Sequence, residues 1–197
     1  MEQIIKTAVK DEEKIRQGVK LILEGIGEDP SREGLLETPC RIAKMCNELF
    51  AAVGCCCDPI EAKVFAVQGS GMVAERGISF YSICEHHMLP FFGHASIAYL
   101  PDGEVIGLSK LVRIVDFYSR KLQLQERLTD EIAQAVSRKV KNKGVHVALS
   151  AEHLCVSMRG IAKTSSTTVS MASTGAFASD KGLRDEAMAL FQGTFCR

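Results

Sequence analysis

Cys84, Glu85, His86 and His87 stand together where the alternating run ISFYSI ends, just ahead of Pro90. Functional groups often sit at such strand ends. A thiol and an imidazole three residues apart can be aimed at one ion by a turn, and His86 between them must then point elsewhere. Far downstream, His153 and Cys155 are two apart in VHVALSAEHLCVSMRG, a stretch of strand character. Neighbours two apart on a strand share a face, so Cys155 is expected to bring a third ligand with His153 beside it. Cys84, His87 and Cys155 would offer two thiolates and one imidazole, a set known for catalytic zinc because it leaves the fourth tetrahedral position to water. If His86 or His153 filled that position the site would be closed and structural, so ligand counting leaves both outcomes open. With the position open, zinc lowers the pKa of bound water from about 15.7 towards about 7. The two remaining histidines would then be natural proton carriers near neutral pH.

A second group is basic. Lys110 and Arg113 lie near the start of a helical region, Arg159 follows Cys155 closely, and Arg41 and Lys44 fall on a helical segment upstream. Taken singly each reads as solvated surface, but gathered near a metal they would suit a polyanion such as a nucleoside triphosphate. Ser109, with the start of the following helix, would add donors for phosphate. Neither GxxxxGK[ST] nor GxGxxG occurs, so a nucleotide would have to be held by another architecture. Gln125 and Glu126 sit in QLQERLTDE, by default a solvent-facing helix, although a buried carboxylate is the group that pairs with N1 and N2 of a guanine edge.

The elements that must position these residues follow from periodicity. Apolar residues recur at three and four between Asp11 and Gly27, and again in LETPCRIAKMCNELFAAVG, where Thr38 is the expected N-cap and Pro39 the first helical residue. AKVFAV, ISFYSI, HASIAYL and EVIGL read as antiparallel strands, with a turn at Pro101, Asp102 and Gly103. One or two helices are expected between Ser109 and Lys143, and a last helix from about Gly182 to Phe191. In the downstream strand the apolar parity shifts near Ser150, which predicts a bulge or bend. The reading is α+β, with helices first and then a sheet flanking a helical pair.

The chain has 197 residues, 46% hydrophobic and 24% charged, enough to bury a core. Its 24 Lys and Arg cancel 24 Asp and Glu, so no global field points to nucleic acid or an anionic membrane. No apolar stretch would span a bilayer and the opening MEQIIKTAVKDEEK lacks a secretory h-region, so a cytoplasmic protein is expected. Eight cysteines are too few for a disulfide scaffold. Cys55, Cys56 and Cys57, three adjacent thiols without a nearby histidine, read as loop thiols and not as a chelate.

GEDPSREGLLETPCRIAKM, FYSICEHHMLPFFGHASIAYLPDGEVIGLSKLVRIV, QLQERLTDEIAQA and EHLCVSMRGI, in this order, resemble the GTP cyclohydrolase I family over nearly the whole chain. The resemblance implies the T-fold (tunnelling fold), an antiparallel sheet with a helical pair, here with an N-terminal helical appendage at 1–58 ahead of a catalytic domain at 59–197. It implies a homo-oligomer, a decamer of two stacked pentamers with active sites between subunits. Carried over by residue, Cys84, His87 and Cys155 match zinc ligands and His86 and His153 match proton-transfer histidines. Glu126 and the backbone near Gln125 match a guanine anchor, and Arg41, Lys44, Ser109, Lys110, Arg113 and Arg159 match positions near the ribose and triphosphate. The implied reaction is zinc-dependent hydrolysis of GTP at C8, releasing formate and forming 7,8-dihydroneopterin triphosphate. Two departures stand out: Val156 where many relatives carry Met, and Gly77 where an acidic residue is expected, a change that would loosen the turn into the metal loop. SSTTVSMASTGAF follows the family pattern loosely and is given no site role.

Two other functions fit the same residues. One is a T-fold paralogue acting on a related purine or pterin nucleotide with an altered outcome, such as stopping at the ring-opened intermediate. The other is a non-catalytic assembly protein stabilised by zinc. A disulfide between Cys84 and Cys155 in the metal-free protein is compatible with the enzyme.

Overall fold

The 3.6-residue apolar spacing ahead of the cysteine run folds as two helices, α1 (Glu12–Gly25) and α2 (Thr38–Leu49). The computed structural model describes residues 10–55, 58–69, 71–164 and 166–192, so Cys56 and Cys57 of the thiol run lie outside the described residues. Asp11 caps α1, its carboxylate accepting from the Lys14 amide at 3.0 Å. Helix α2 begins one residue earlier than expected: Thr38 is its first residue, and Glu37 takes the cap position without a side-chain hydrogen bond. Pro39 sits in the first turn, where a missing N–H costs nothing.

Downstream, β1 (Val64–Ala66), β2 (Val73–Cys84), β3 (Pro90–Pro101) and β4 (Glu104–Ile106) lead into α3 (Leu108–Ser119). Then come β5 (Leu122–Gln123), α4 (Gln125–Lys139), β6 (Asn142–His153), α5 (Leu154–Ser157), β7 (Thr167–Ser173), α6 (Ala176–Ser179) and α7 (Lys181–Phe191). EVIGL is therefore strand only to Ile106, because Leu108 already opens α3. β1 and β4 form a two-stranded ribbon, and the main sheet has the order β5-β2-β3-β6-β7. All its pairings are antiparallel except β5 on β2, where Leu122 and Gln123 lie parallel to Ile83 and Cys84. Two residues with no periodicity of their own could not announce that strand.

Alternation along the strands sorts the side chains to two faces. Phe80, Phe91, Ile97, Tyr99, Val147 and Leu149 face α3 and α4 and pack on Leu111, Ile114, Leu128 and Ile132, each such burial contributing about 1.5–3 kcal/mol. Part of the other face is covered by α6 and α7, whose Phe177, Ala187 and Phe191 rest on Ala98 and Ala148. Small residues at those two positions let the helix approach. Among the described residues no helix is long and apolar enough to cross a membrane.

Of the bulge or bend expected near Ser150, no bulge occurs, and the chain turns only after His153. β6 pairs with β3 without a break from Gly144 to His153, and with β7 from His146 to Glu152. The parity shift instead marks the end of the strand, where the chain turns into α5. A register shift does occur in β2 between Glu75 and Ile78. Gly77, at φ 73°, sits inside it, so this glycine serves a bulge well upstream of the metal loop and does not loosen the turn into it. Gly93 has a different necessity: a Cβ there would lie 1.9 Å from the Ser150 carbonyl oxygen, so only glycine lets β3 run this close to β6.

His146 is buried beneath α6 and α7, with its ring stacked against Phe177 and Phe191 and Nδ1 2.8 Å from Ser173 Oγ. Its Nε2 has no partner, and burial, with Arg184 nearby, pushes its pKa below the usual 6.5. The unfolded chain therefore binds a proton that the folded chain resists, and this residue's contribution to stability is present above pH 6.5 and lost as pH falls below it. The loss of Tm between pH 7.5 and 5.5 is expected to be smaller in His146→Gln than in the wild type, as measured by differential scanning fluorimetry. Gly93→Ala is expected to destabilise by about 1–3 kcal/mol or more in a denaturant titration, from overpacking against backbone that cannot yield.

Candidate metal centre

Cys84 is the last residue of β2 and is buried. Its amide donates to the Leu89 carbonyl and its own carbonyl accepts from Met88, both at 2.9 Å. Met88 adopts φ 53° to close this tight turn, which brings His87 back over the strand end. Cys155 does not share a strand with His153 as expected. β6 ends at His153, and Cys155 lies in the first turn of α5, so the change of backbone conformation separates the two side chains that a continuous strand would have aligned.

The ligand atoms of Cys84, His87 and Cys155 nevertheless all lie within 4.8 Å of one another. A tetrahedral ion with metal–sulfur bonds of about 2.3 Å and a metal–nitrogen bond of about 2.0 Å would need donors about 3.5–3.8 Å apart, so the triad fits with a small contraction. Its chemistry also fits. Burial and the adjacent Cys84 sulfur push the Cys155 thiol above its usual pKa of 9.0, and a cation between the sulfurs removes that opposition to a second thiolate.

His86 is exposed and lies outside the triad, its ring perpendicular to that of His87 with centroids 6.3 Å apart. His153 is half-buried, stacked on Phe91 at 4.7 Å and 4°. Its Nε2 is 2.7 Å from Gln125 Oε1 at the start of α4. Burial lowers the His153 pKa from 6.5, opposed by the charge of Glu126, so the ring is neutral at pH 7. Glu126 is exposed in the first turn of α4, and Arg159 Nη1 donates to His87 Nε2 at 3.1 Å. Among the sequence-derived candidates, Cys84, His87, Cys155, His153, Gln125, Glu126 and Arg159 thus gather at one end of the sheet.

None of the hydrogen bonds or ion pairs among the described residues ties the remaining basic residues to the triad. The carbonyl of Ser119, at the C-terminal end of α3, accepts from Ser82 Oγ at 2.8 Å, close to Cys84. Ser109 and Lys110 begin the same helix, roughly 15 Å away along its axis, with Arg113 between. Arg41 is paired with Glu37 at 3.1 Å on an exposed face of α2, and Lys44 is exposed.

A brace around the metal loop escaped the sequence reading. The Glu85 amide donates to the Gln123 carbonyl at 3.1 Å, and its carboxylate pairs with the Arg127 guanidinium. Arg127 Nε donates to Gln123 Oε1 at 2.9 Å, and Gln123 Nε2 donates to Glu131 at 2.7 Å. The i,i+4 spacing of Gln123, Arg127 and Glu131 was a usable signal, but only β5 lying parallel to β2 brings it to Glu85. β7 also supplies contacts: the Thr168 carbonyl and Ser170 Oγ both accept from Gln125, in a segment given no site role from sequence.

A profile of the family described as GTP cyclohydrolase I matches residues 15–192. The chain belongs to the GTP cyclohydrolase I family. The GTP cyclohydrolase 1 of Clostridium perfringens (strain 13 / Type A) is 49% identical over 176 residues, covering 89% of this chain and 95% of the relative. That of Streptococcus pneumoniae (strain ATCC 700669 / Spain 23F-1) is 48% identical over 180 residues, covering 91% and 98%. Among solved structures, the archaeosine synthase QueF-Like in the apo form aligns with a TM-score of 0.45 and 19% identity, over 55% of this chain and 98% of that chain. The α+β architecture, with an antiparallel sheet on a helical pair, is the T-fold of the GTP cyclohydrolase I family.

Cys84→Ser and Cys155→Ser are each expected to lose stoichiometric metal on purification, measured by mass spectrometry of the metal content, while Cys46→Ser retains it. Arg127→Met, which frees Glu85 but touches no ligand, is expected to weaken metal affinity about 10–100-fold in a competitive chelator titration.

Proposed function

We propose that this chain is a GTP cyclohydrolase I: with water it opens the imidazole ring of GTP at C8, releases formate and forms 7,8-dihydroneopterin triphosphate, the first step of folate or pterin biosynthesis. The observation that carries the reading is the convergence of Cys84, His87 and Cys155 beside His153 and Gln125, in a chain of this family. A zinc ion at the triad would supply Lewis acidity and lower the pKa of water towards neutrality. Neither His86 nor His153 belongs to the triad of donors, which favours an open fourth position over a closed structural site.

His153, neutral at pH 7, accepts a proton as water adds to C8 and returns it as the ring opens. His86, exposed above the metal loop, exchanges protons with solvent during the later rearrangement. Glu126 accepts from the N1 and N2 donors of guanine and so orients C8, with the backbone near Gln125 completing the anchor. Arg159 holds a phosphate oxygen beside the metal. Ser109, Lys110, Arg113, Arg41 and Lys44 bind the ribose and triphosphate from a neighbouring subunit, so that binding energy remote from C8 positions the base.

The length of α3 between Ser109 and Lys110 at one end and Ser119 near Cys84 at the other supports that division for the α3 residues. So do the sheet edges: β2 carries β5 only at Ile83 and Cys84, β7 ends the opposite edge, and Val169 and Met171 on β7 are exposed. Two open edges on one curved sheet close into a ring of copies more readily than they remain in water. We assign a cytoplasmic homodecamer of two stacked pentamers, with residues 1–58 as a helical appendage and 59–197 as the catalytic unit.

The metal-loaded protein is expected to convert GTP to formate and a pterin that fluoresces after oxidation, with the product mass separating this from a ring-opened end point. Chelation or Cys84→Ser should abolish turnover, and full turnover by metal-free protein would refute the reading. Co-assembly of inactive Cys84→Ser with inactive Lys110→Ala is expected to recover activity that neither has alone, since some sites then receive both native halves.

A further inference from the structure

The Gln125 side chain is 1% exposed and fully committed to hydrogen bonds. Its Nε2 lies 2.9 Å from the Thr168 carbonyl oxygen, 3.3 Å from that of Leu149 and 3.0 Å from Ser170 Oγ. Two of these are carbonyl oxygens, which only accept, so the amide must present its NH₂ to them and its oxygen to His153. The hydroxyls fix the same polarity independently. Thr129 Oγ1 donates its one proton to the Gln125 carbonyl at 2.7 Å. Ser170 Oγ, 2.7 Å from Thr129 Oγ1, must then donate to it, and is left to accept from Gln125. Reversing the amide would set Oε1 against two carbonyl oxygens away from water, a buried mismatch that is costly.

We infer that Gln125 is a positioning residue that locks the tautomer of His153. With Oε1 able only to accept, the His153 Nε2 at 2.7 Å must carry the hydrogen. In the neutral ring the lone pair is then on Nδ1, and Nδ1 is the atom that takes the proton from the attacking water. The resulting imidazolium keeps its Nε2–H on Gln125, and the same Nδ1 proton leaves when the leaving nitrogen is protonated. Phe91 fixes the plane of the ring by stacking, and Gln125 fixes which edge faces away from it. Nδ1 adjoins Cγ, so the transfer takes place close to the end of β6, where a flipped ring would deliver it further out. Thr129 on α4 and Ser170 on β7 act through Gln125 without touching the ring. This inference rests on the proposed role of His153 as a proton carrier, and the two are separable.

The test uses the assembled, zinc-loaded protein labelled with ¹⁵N at its five histidines. Solid-state NMR at about pH 8, with His153 assigned by difference from His153→Gln, should show a protonated Nε2 and a bare Nδ1. A proton on Nδ1 overturns the lock whatever the kinetics, and needs no variant at Gln125 to fold. In Gln125→Met, kcat is expected to fall about 10–100-fold with KM for GTP changed less than about threefold and zinc content retained. Gln125→Glu, which keeps an acceptor, should recover part of the loss. A raised KM at unchanged kcat would make the side chain a substrate contact and overturn the inference. If His153→Gln turns over normally while the Nε2 tautomer is seen, the proton-carrier role fails and the lock stands.

Discussion

Two sulfurs and an imidazole can share an ion here only because β2 and β6, which do not pair with each other, end at the same level. The strand between them sets that level. Pro90 at the start of β3 is the partner of Ile83, and Phe91 the partner of His153, so two adjacent residues fix the ends of both flanking strands. Gly93 lets β3 and β6 approach closely enough for this to hold. Hydrogen bonds around Glu85 and Arg127 then tie the metal loop to α4, which carries the guanine-anchor candidates. The geometry at the metal is thus a product of register, transmitted through backbone.

Much of this was legible in the chain. Helical spacing located α1, α2 and α7, alternation located β2, β3 and the body of β6, and the CEHH and EHLC segments named the triad before any fold existed. What periodicity missed has identifiable causes. β5 is two residues long and owes its strand character to its neighbour, so no local signal exists. Cys155 is expected on a strand because VHVALSAEHLCVSMRG has strand character as a whole, yet tertiary context bends its Leu154–Ser157 segment into a helical turn. The parity shift at Ser150 is a true signal of the turn that ends β6 three residues later, and not of a bulge within the strand. Gly77 was noticed as a departure from the family, but only its φ explains it. The role of Thr168 and Ser170 was invisible because it depends on β7 meeting α4 across the edge of the sheet.

The division of the candidate residues along α3 gives the helix two duties. Its C-terminal end supports β2 near the metal triad through Ser82 and Ser119, while its N-terminal end carries Ser109 and Lys110 away from that triad. A rigid helix with the thiol–imidazole triad near one end and the proposed anion ligands at the other is poorly suited to a site inside one chain. In the proposed assembly it would relay geometry from one site to the next.

Phe91 belongs at once to the hydrophobic core, against Phe80 at 5.9 Å, and to the histidine that stacks on it. The interior of this protein is therefore not inert scaffolding behind the candidate site. Any repacking undertaken to raise heat resistance would tilt the imidazole along with the benzene ring it leans on, so durability and the proposed proton transfer cannot be tuned separately at this position. Laboratory evolution for a hardier variant should leave this pair untouched and look for its gains at the far end of the sheet.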